Sequence, residues 1–159
     1  KIPVFGSKRT IDELKDKYTY CFKLKHGYRP IMSAKIIKNK VLIKKDLYTL
    51  KINAFDVQHG LIKATGYSFE GIAYLSDCNH VPKKSMKYLK NLNYLIVDCL
   101  RIKKHPSHFN LIDVLKLVDE IKPKKTILTN LHVDFDYKKL RKILPKNVVP
   151  AYDGLKIIF

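Results

Sequence analysis

Three short apolar runs in the second half of the chain most constrain what it can fold into: "GIAYLSD" (71–77), "YLIVDC" (94–99) and "KTILTNL" (125–131). Runs of this length and density suit strands buried on both faces. Between the last two lies the best helical pattern in the chain. Leu111, Val114, Leu115, Val118 and Ile121 fall at 3.6-residue spacing, with Asn110 as cap and Pro123 as stop. After the third run, "DYKKLRKIL" is amphipathic and closed by Pro145. Strand and helix alternate here, and the expectation is one layered α/β domain (α+β in some schemes) over residues 1–159.

The first half reads differently. "PIMSAKII", "KVLIKKD", "LYTLKINAFDV" and "GLIKATGYSF" carry several apolar–polar alternations, which predict mostly antiparallel strands with one solvated face. Thr10 and Glu13 match a capping box and place a helix over about 11–18. Pro82 opens a short helix through about Leu89, with Ser85 as another cap. "VVPAYDGLKIIF" predicts a hairpin turned on Asp153-Gly154. No repeat, low-complexity stretch or linker interrupts the chain.

Composition narrows the function classes. No apolar run approaches the roughly 18 residues that span a bilayer, and Lys1-Ile2-Pro3-Val4 carries no secretory pattern. Residue 1 is Lys, not Met, so the reading frame is expected to begin upstream. The net charge of +18 invites a nucleic-acid reading, which is not favoured. Only four basic residues are Arg (Arg9, Arg29, Arg101, Arg141), and the many lysines are scattered along the chain. AT-rich coding explains that bias better, although a basic surface would still steer an anionic substrate. Three cysteines without a CxxC pair argue for a reducing, cytoplasmic setting. Cys99 reads as a small buried hydrophobe, and Cys78 as packing beside Asp77.

Candidate ligands end three of the strand-like runs. His59 closes "FDVQHG", Asp77 closes "GIAYLSD", and His132 follows "KTILTNL". A lone His at a strand end is more often a surface residue, and Asp77 could equally cap its turn. Their shared position at strand ends is what points to chemistry, because layered sheets collect their sites at that edge. A carboxylate among imidazoles suits a two-metal centre, in which one Asp bridges ions about 3.5–4 Å apart. His105 and His108, in "KKHPSHFNL", precede the helix capped by Asn110, where an anion or phosphate would sit well. A plain connector shaped by Pro106 and Ser107 is the alternative. His108 is the better functional candidate, the role of His105 stays open, and His26 and His80 read as ordinary surface residues.

The ordered series "FDVQHG", "GYSFEGIAYLSDCNHVP", "YLIVDCLR", "HPSHFNL", "KKTILTNLHVDFDY" and "AYDGLKI" resembles the C-terminal two-thirds of a metallo-β-lactamase-fold hydrolase. The branch it resembles is that of the cyclic-phosphate phosphodiesterase of phosphonate breakdown, and "KIPVFGSKRTIDELKDKY" matches the same branch. The resemblance implies part of an αβ/βα sandwich and two divalent ions, zinc or manganese. His59, Asp77 and His132 would be metal ligands, and His108 the histidine near the scissile phosphate. It implies metal-assisted hydrolysis of an anionic phosphodiester. The family's His-x-His-x-Asp-His motif is absent, and His132 is offset by two residues from the usual Thr-His position. Three ligands alone would hold at most one ion, so the chain by itself is expected to be nearly inactive. A separate N-terminal polypeptide or a second copy would then be its partner. A non-catalytic binding module and an RNA-processing nuclease of the same fold are the competing readings.

Overall fold

The computed structural model describes residues 1–24 and 27–158, and His26 lies outside them. Two compact units are present, Lys1–Val41 and Leu42–Phe159. In the first, β1 (Ile2–Gly6) pairs in parallel with β2 (Met32–Ile36) across α1 (Lys8–Lys17) and α2 (Thr19–Phe22). This pair corrects the antiparallel expectation: a helical crossover separates the strands, which returns the second in the same direction. The start of α1 is corrected too. Ser7, not Thr10, is the cap, its Oγ accepting the Thr10 amide at 3.2 Å. The Thr10 hydroxyl shares a 2.9 Å hydrogen bond with that same Oγ, and Ser is the stronger cap residue of the two.

The second unit is built on a seven-stranded sheet that begins at the unit boundary. Its strands are β3 (Lys40–Lys45), β4 (Tyr48–His59), β5 (Ile62–Phe69), β6 (Ile72–Leu75), β7 (Tyr94–Asp98), β8 (Lys125–Thr129) and β9 (Val148–Pro150), neighbours in chain order. β4–β5 and β5–β6 are antiparallel, as the alternating pattern predicted. From β6 to β9 every pair is parallel. β4, β6, β7 and β8 therefore all end at one edge of the sheet.

Three helical segments serve these crossovers. A 3₁₀ helix spans Lys83–Leu89, α3 runs Leu111–Ile121 and α4 runs Tyr137–Ile143. The buried cluster joins Val57, Leu75, Leu95, Val97 and Leu128 of the sheet to Leu89, Val114 and Leu140. Each such side chain contributes about 1.5–3 kcal/mol by leaving water. Asn110 caps α3 as expected, its Oδ1 accepting the Asp113 amide at 3.0 Å, and Lys122 turns left-handed (φ 53°) just before Pro123. Ser85 is not a cap. It is buried, and its hydroxyl donates to the Asp56 carbonyl at 2.7 Å, fastening the 3₁₀ helix to β4.

The C-terminal hairpin is a further correction. The chain turns at Asp153-Gly154, but residues 155–158 form no strand. Among the described residues β9 pairs only with β8, and its Pro150 has no N–H to start a return ladder. Leu155, Ile157 and Ile158 instead line a cavity with Tyr94, Ile127 and Val149. Among the described residues, no helix is long and apolar enough to cross a membrane.

Candidate metal centre

The common edge of β4, β6, β7 and β8 gathers the polar groups of the second unit. His59, Asp77 and His108 each bring a ligand atom there, all within 4.8 Å of one another. His59 is the last residue of β4, held before the tight Gly60-Leu61 connection to β5. Asp77 lies two residues past β6, with its Oδ2 accepting from the Ser76 hydroxyl at 3.1 Å. His108 comes from the loop between β7 and α3. That loop is pinned by Phe109 N–H to the Cys78 carbonyl at 2.8 Å and Leu100 N–H to the Phe109 carbonyl at 2.9 Å.

Hydrogen-bond partners decide which ring nitrogens are free. The Nδ1 of His59 faces the Ser107 carbonyl oxygen at 2.8 Å. A carbonyl can only accept, so the proton sits on Nδ1 and Nε2 keeps its lone pair. The Nδ1 of His108 donates to the Asp98 Oδ2 at 2.5 Å, which again leaves Nε2 open. His105 is the opposite case. Its Nδ1 accepts from the Ser107 amide at 3.3 Å, so its proton is on Nε2 and it offers a donor, not a ligand. Its ring centroid lies 5.1 Å from that of His108, which is 4.7 Å from that of His59. Desolvation, then the charges of Arg101, His108 and His59, hold the His105 imidazole below its ordinary range.

Asp98 is a candidate site residue that sequence reasoning passed over inside "YLIVDC". It is fully buried at the end of β7 and takes both the His108 N–H and the Cys78 amide, the latter at 3.2 Å. Burial pushes its carboxyl up to about 6, against the opposing pull of His108. Its other oxygen, Oδ1, is buried with no partner among the described residues. The available signal was a carboxylate inside an otherwise apolar strand, since an Asp is almost never fully buried unless paired. Cys78 and Cys99 are buried, free thiols, with Cys99 pushed up to about 12 chiefly by burial.

His132 reaches the same edge through its backbone, whose N–H donates to the Leu100 carbonyl at 2.8 Å. Its ring is not in the group of three. It is half exposed, with Nδ1 beside the Asp134 carboxylate at 3.1 Å. The position after β8 is held by Asn130, left-handed at φ 56°, whose amide donates to the Ser76 carbonyl at 3.1 Å next to Asp77. His80 is exposed and joins β4 through its carbonyl, which accepts from the Gln58 amide at 2.9 Å.

Two imidazoles with free Nε2 atoms and one carboxylate form the donor set that zinc or manganese takes. With the orphaned Oδ1 of Asp98 behind them, these residues fit a divalent ion. The pattern of the family described as "Beta-lactamase superfamily domain" matches residues 1–130. The chain belongs to that family. Among solved β-lactamase-superfamily structures, one described as a new diphosphatase from the PhnP family superposes with a TM-score of 0.86. It is 29% identical over 99% of this chain and 58% of that one. Yeast PDE1 shares the fold at TM-score 0.66 and 15% identity, over 96% of this chain and 58% of that one. The short form of human tRNase Z shares it at TM-score 0.66 and 15% identity, with 96% and 64% covered. A Porphyromonas gingivalis protein named octanoyltransferase is 25% identical over 99% of this chain but only 32% of its own length. The chain thus spans about a third of that relative and less than two thirds of these solved chains. The metallo-β-lactamase fold and the PhnP-like character expected from the sequence are both found.

Proposed function

We propose that this chain supplies the His59–Asp77–His108 edge of a divalent metal centre that hydrolyses a phosphodiester or diphosphate ester. The observation that carries the reading is the convergence of those three ligand atoms within 4.8 Å at one edge of the sheet. The likeness to a PhnP-family diphosphatase, at 29% identity over nearly the whole chain, supports a phosphoester over other substrates. His59 and Asp77 would hold the ion. When bound, it would act as a Lewis acid on a phosphoryl oxygen and lower the pKa of water, a stabilisation worth several kcal/mol.

The remaining work falls to the chain's own groups. Asp98 fixes the His108 ring angle through the 2.5 Å bond to Nδ1 and favours the imidazolium, which would pass its Nε2 proton to the departing oxygen. His105 presents Nε2–H beside it, a donor for a substrate oxygen. The +18 charge draws an anionic substrate inward. Two ligands leave coordination positions open, and a dinuclear zinc or manganese centre would draw its remaining ligands from another segment or a partner chain. The buried free thiols suit a reducing, cytoplasmic setting.

The test is metal content and turnover together. Protein purified with Mn²⁺ or Zn²⁺ should retain the ion and, once reconstituted with the segment or partner chain that completes the centre, cleave bis(p-nitrophenyl) phosphate, and Asp77→Ala should lose both. Retained metal with no phosphoester cleavage by the reconstituted protein would remove the hydrolase reading and leave a binding module.

A further inference from the structure

We propose that Asn79 is a positioning residue whose side-chain amide clamps the two histidine-bearing segments of the centre together against Asp77. This rests on the metal-centre reading above. The Asn79 Oδ1 accepts from the Gly60 amide at 3.1 Å, one residue after His59. Its Nδ2 donates to the Pro106 carbonyl at 3.0 Å, two residues before His108. Its own backbone N–H donates to the Gln58 carbonyl at 2.8 Å, and Asp77 is only two residues away along the chain. One residue thus ties the end of β4, the exit of β6 and the loop after β7.

The consecutive carbonyls of Pro106 and Ser107 are taken by Asn79 and His59 respectively. The amide and the imidazole therefore grip the same loop side by side, and the proton position on His59 depends on that loop staying where Asn79 holds it. Packing agrees with a close fit. Gly60 is left-handed at φ +59°, and a Cβ there would lie 3.0 Å from the Ser107 Cβ. The chemistry is specific to an amide, because the two partners are one N–H and one carbonyl. An Asp at 79 keeps the acceptor toward Gly60 but sets a carboxylate against the Pro106 oxygen. An Ala leaves both backbone groups without their partner.

The experiment uses Asn79→Ala and the isosteric Asn79→Asp, with Asp77→Ala as reference. Three readouts are taken: the ¹⁵N spectrum of the imidazoles in metal-free protein, Zn²⁺ affinity by chelator competition, and cooperative thermal melting. Wild type should show His59 as a single Nδ1–H tautomer. Both Asn79 variants should show mixed tautomers and bind Zn²⁺ about 10–100-fold more weakly while still melting cooperatively. Asp77→Ala should lose Zn²⁺ but keep the tautomer. An intact tautomer in either Asn79 variant overturns the clamp, and Asn79→Asp decides if Asn79→Ala does not fold. Should Asp77→Ala bind Zn²⁺ like wild type, the metal reading fails, while the tautomer still decides the clamp.

Discussion

The two ends of the β4–β9 sheet solve the same problem in different ways. At the end where β6, β7 and β8 begin, the backbone pairs with itself. Gly71 accepts from the Asn93 amide at 2.7 Å and the Tyr94 amide at 3.1 Å, while Lys124 and Lys125 donate to the Leu92 and Asn93 carbonyls at 3.0 and 2.9 Å. Left-handed residues Glu70, Gly71, Asn91 and Lys122 make the turns there. At the opposite end, side chains add to backbone ties such as Phe109 N–H to the Cys78 carbonyl. Asn79, Asp98, Asn130 and His59 each reach across to another segment. An end closed by backbone turns has few groups to spare. One tied by side chains as well as backbone holds its loops while leaving imidazole Nε2 atoms and a carboxylate open for a ligand.

That contrast can be broken first at the ligand end. Asp77→Ala should cost roughly 10³-fold in phosphoester turnover, because a lost ligand removes several kcal/mol of charge stabilisation. Thermal melting of the metal-free variant should stay near wild type, since Asp77 is exposed. Asp98→Asn should follow, lowering metal affinity or turnover by about 10–100-fold as the charge behind His108 is removed. Metal titration and steady-state rates check it.

At the backbone end the effect should appear in stability alone. Gly71 has φ +77°, and an added Cβ would lie 2.8 Å from the Asn93 Nδ2. Gly71→Ala should therefore destabilise by about 1–3 kcal/mol in urea unfolding, with Zn²⁺ affinity unchanged. A matching loss of affinity would erase the distinction between the two ends.

The smallest effect belongs to Asp56, three residues before the end of β4. Lys84 at 3.0 Å, aided by Lys63 at 3.4 Å, holds its carboxyl below the usual range despite partial burial. A lowered folded pKa gives stability that is present above the unfolded value near 4 and lost as pH falls through the folded one. These groups are well exposed, so Asp56→Asn should cost under about 1 kcal/mol at pH 7. The gap to wild type should close in acid, as followed by denaturant midpoints.

Much of this was legible in the sequence. The 3.6-residue spacing from Leu111 to Ile121 and its Asn110 cap specified α3, because local pattern and local capping agreed. The apolar runs marked β6, β7 and β8, and the position of His59 and Asp77 at strand ends pointed to a common edge. Asp98 was hidden because its significance depends on a contact with His108, which no periodicity encodes. Asn79 was hidden for the same reason, since its two partners lie 19 and 27 residues away along the chain. The C-terminal hairpin failed because the Asp153-Gly154 turn signal is local, whereas pairing depends on what β9 can still donate.

The central claim is that His59 and Asp77 hold a divalent ion at the edge they share with His108. Anomalous diffraction at the zinc edge, from crystals grown with Zn²⁺, tests it most directly. The account predicts a peak within coordination distance of the His59 Nε2 and an Asp77 carboxylate oxygen. A zinc peak only beside His132 and Asp134, with none at His59 and Asp77 at saturating metal, would contradict it.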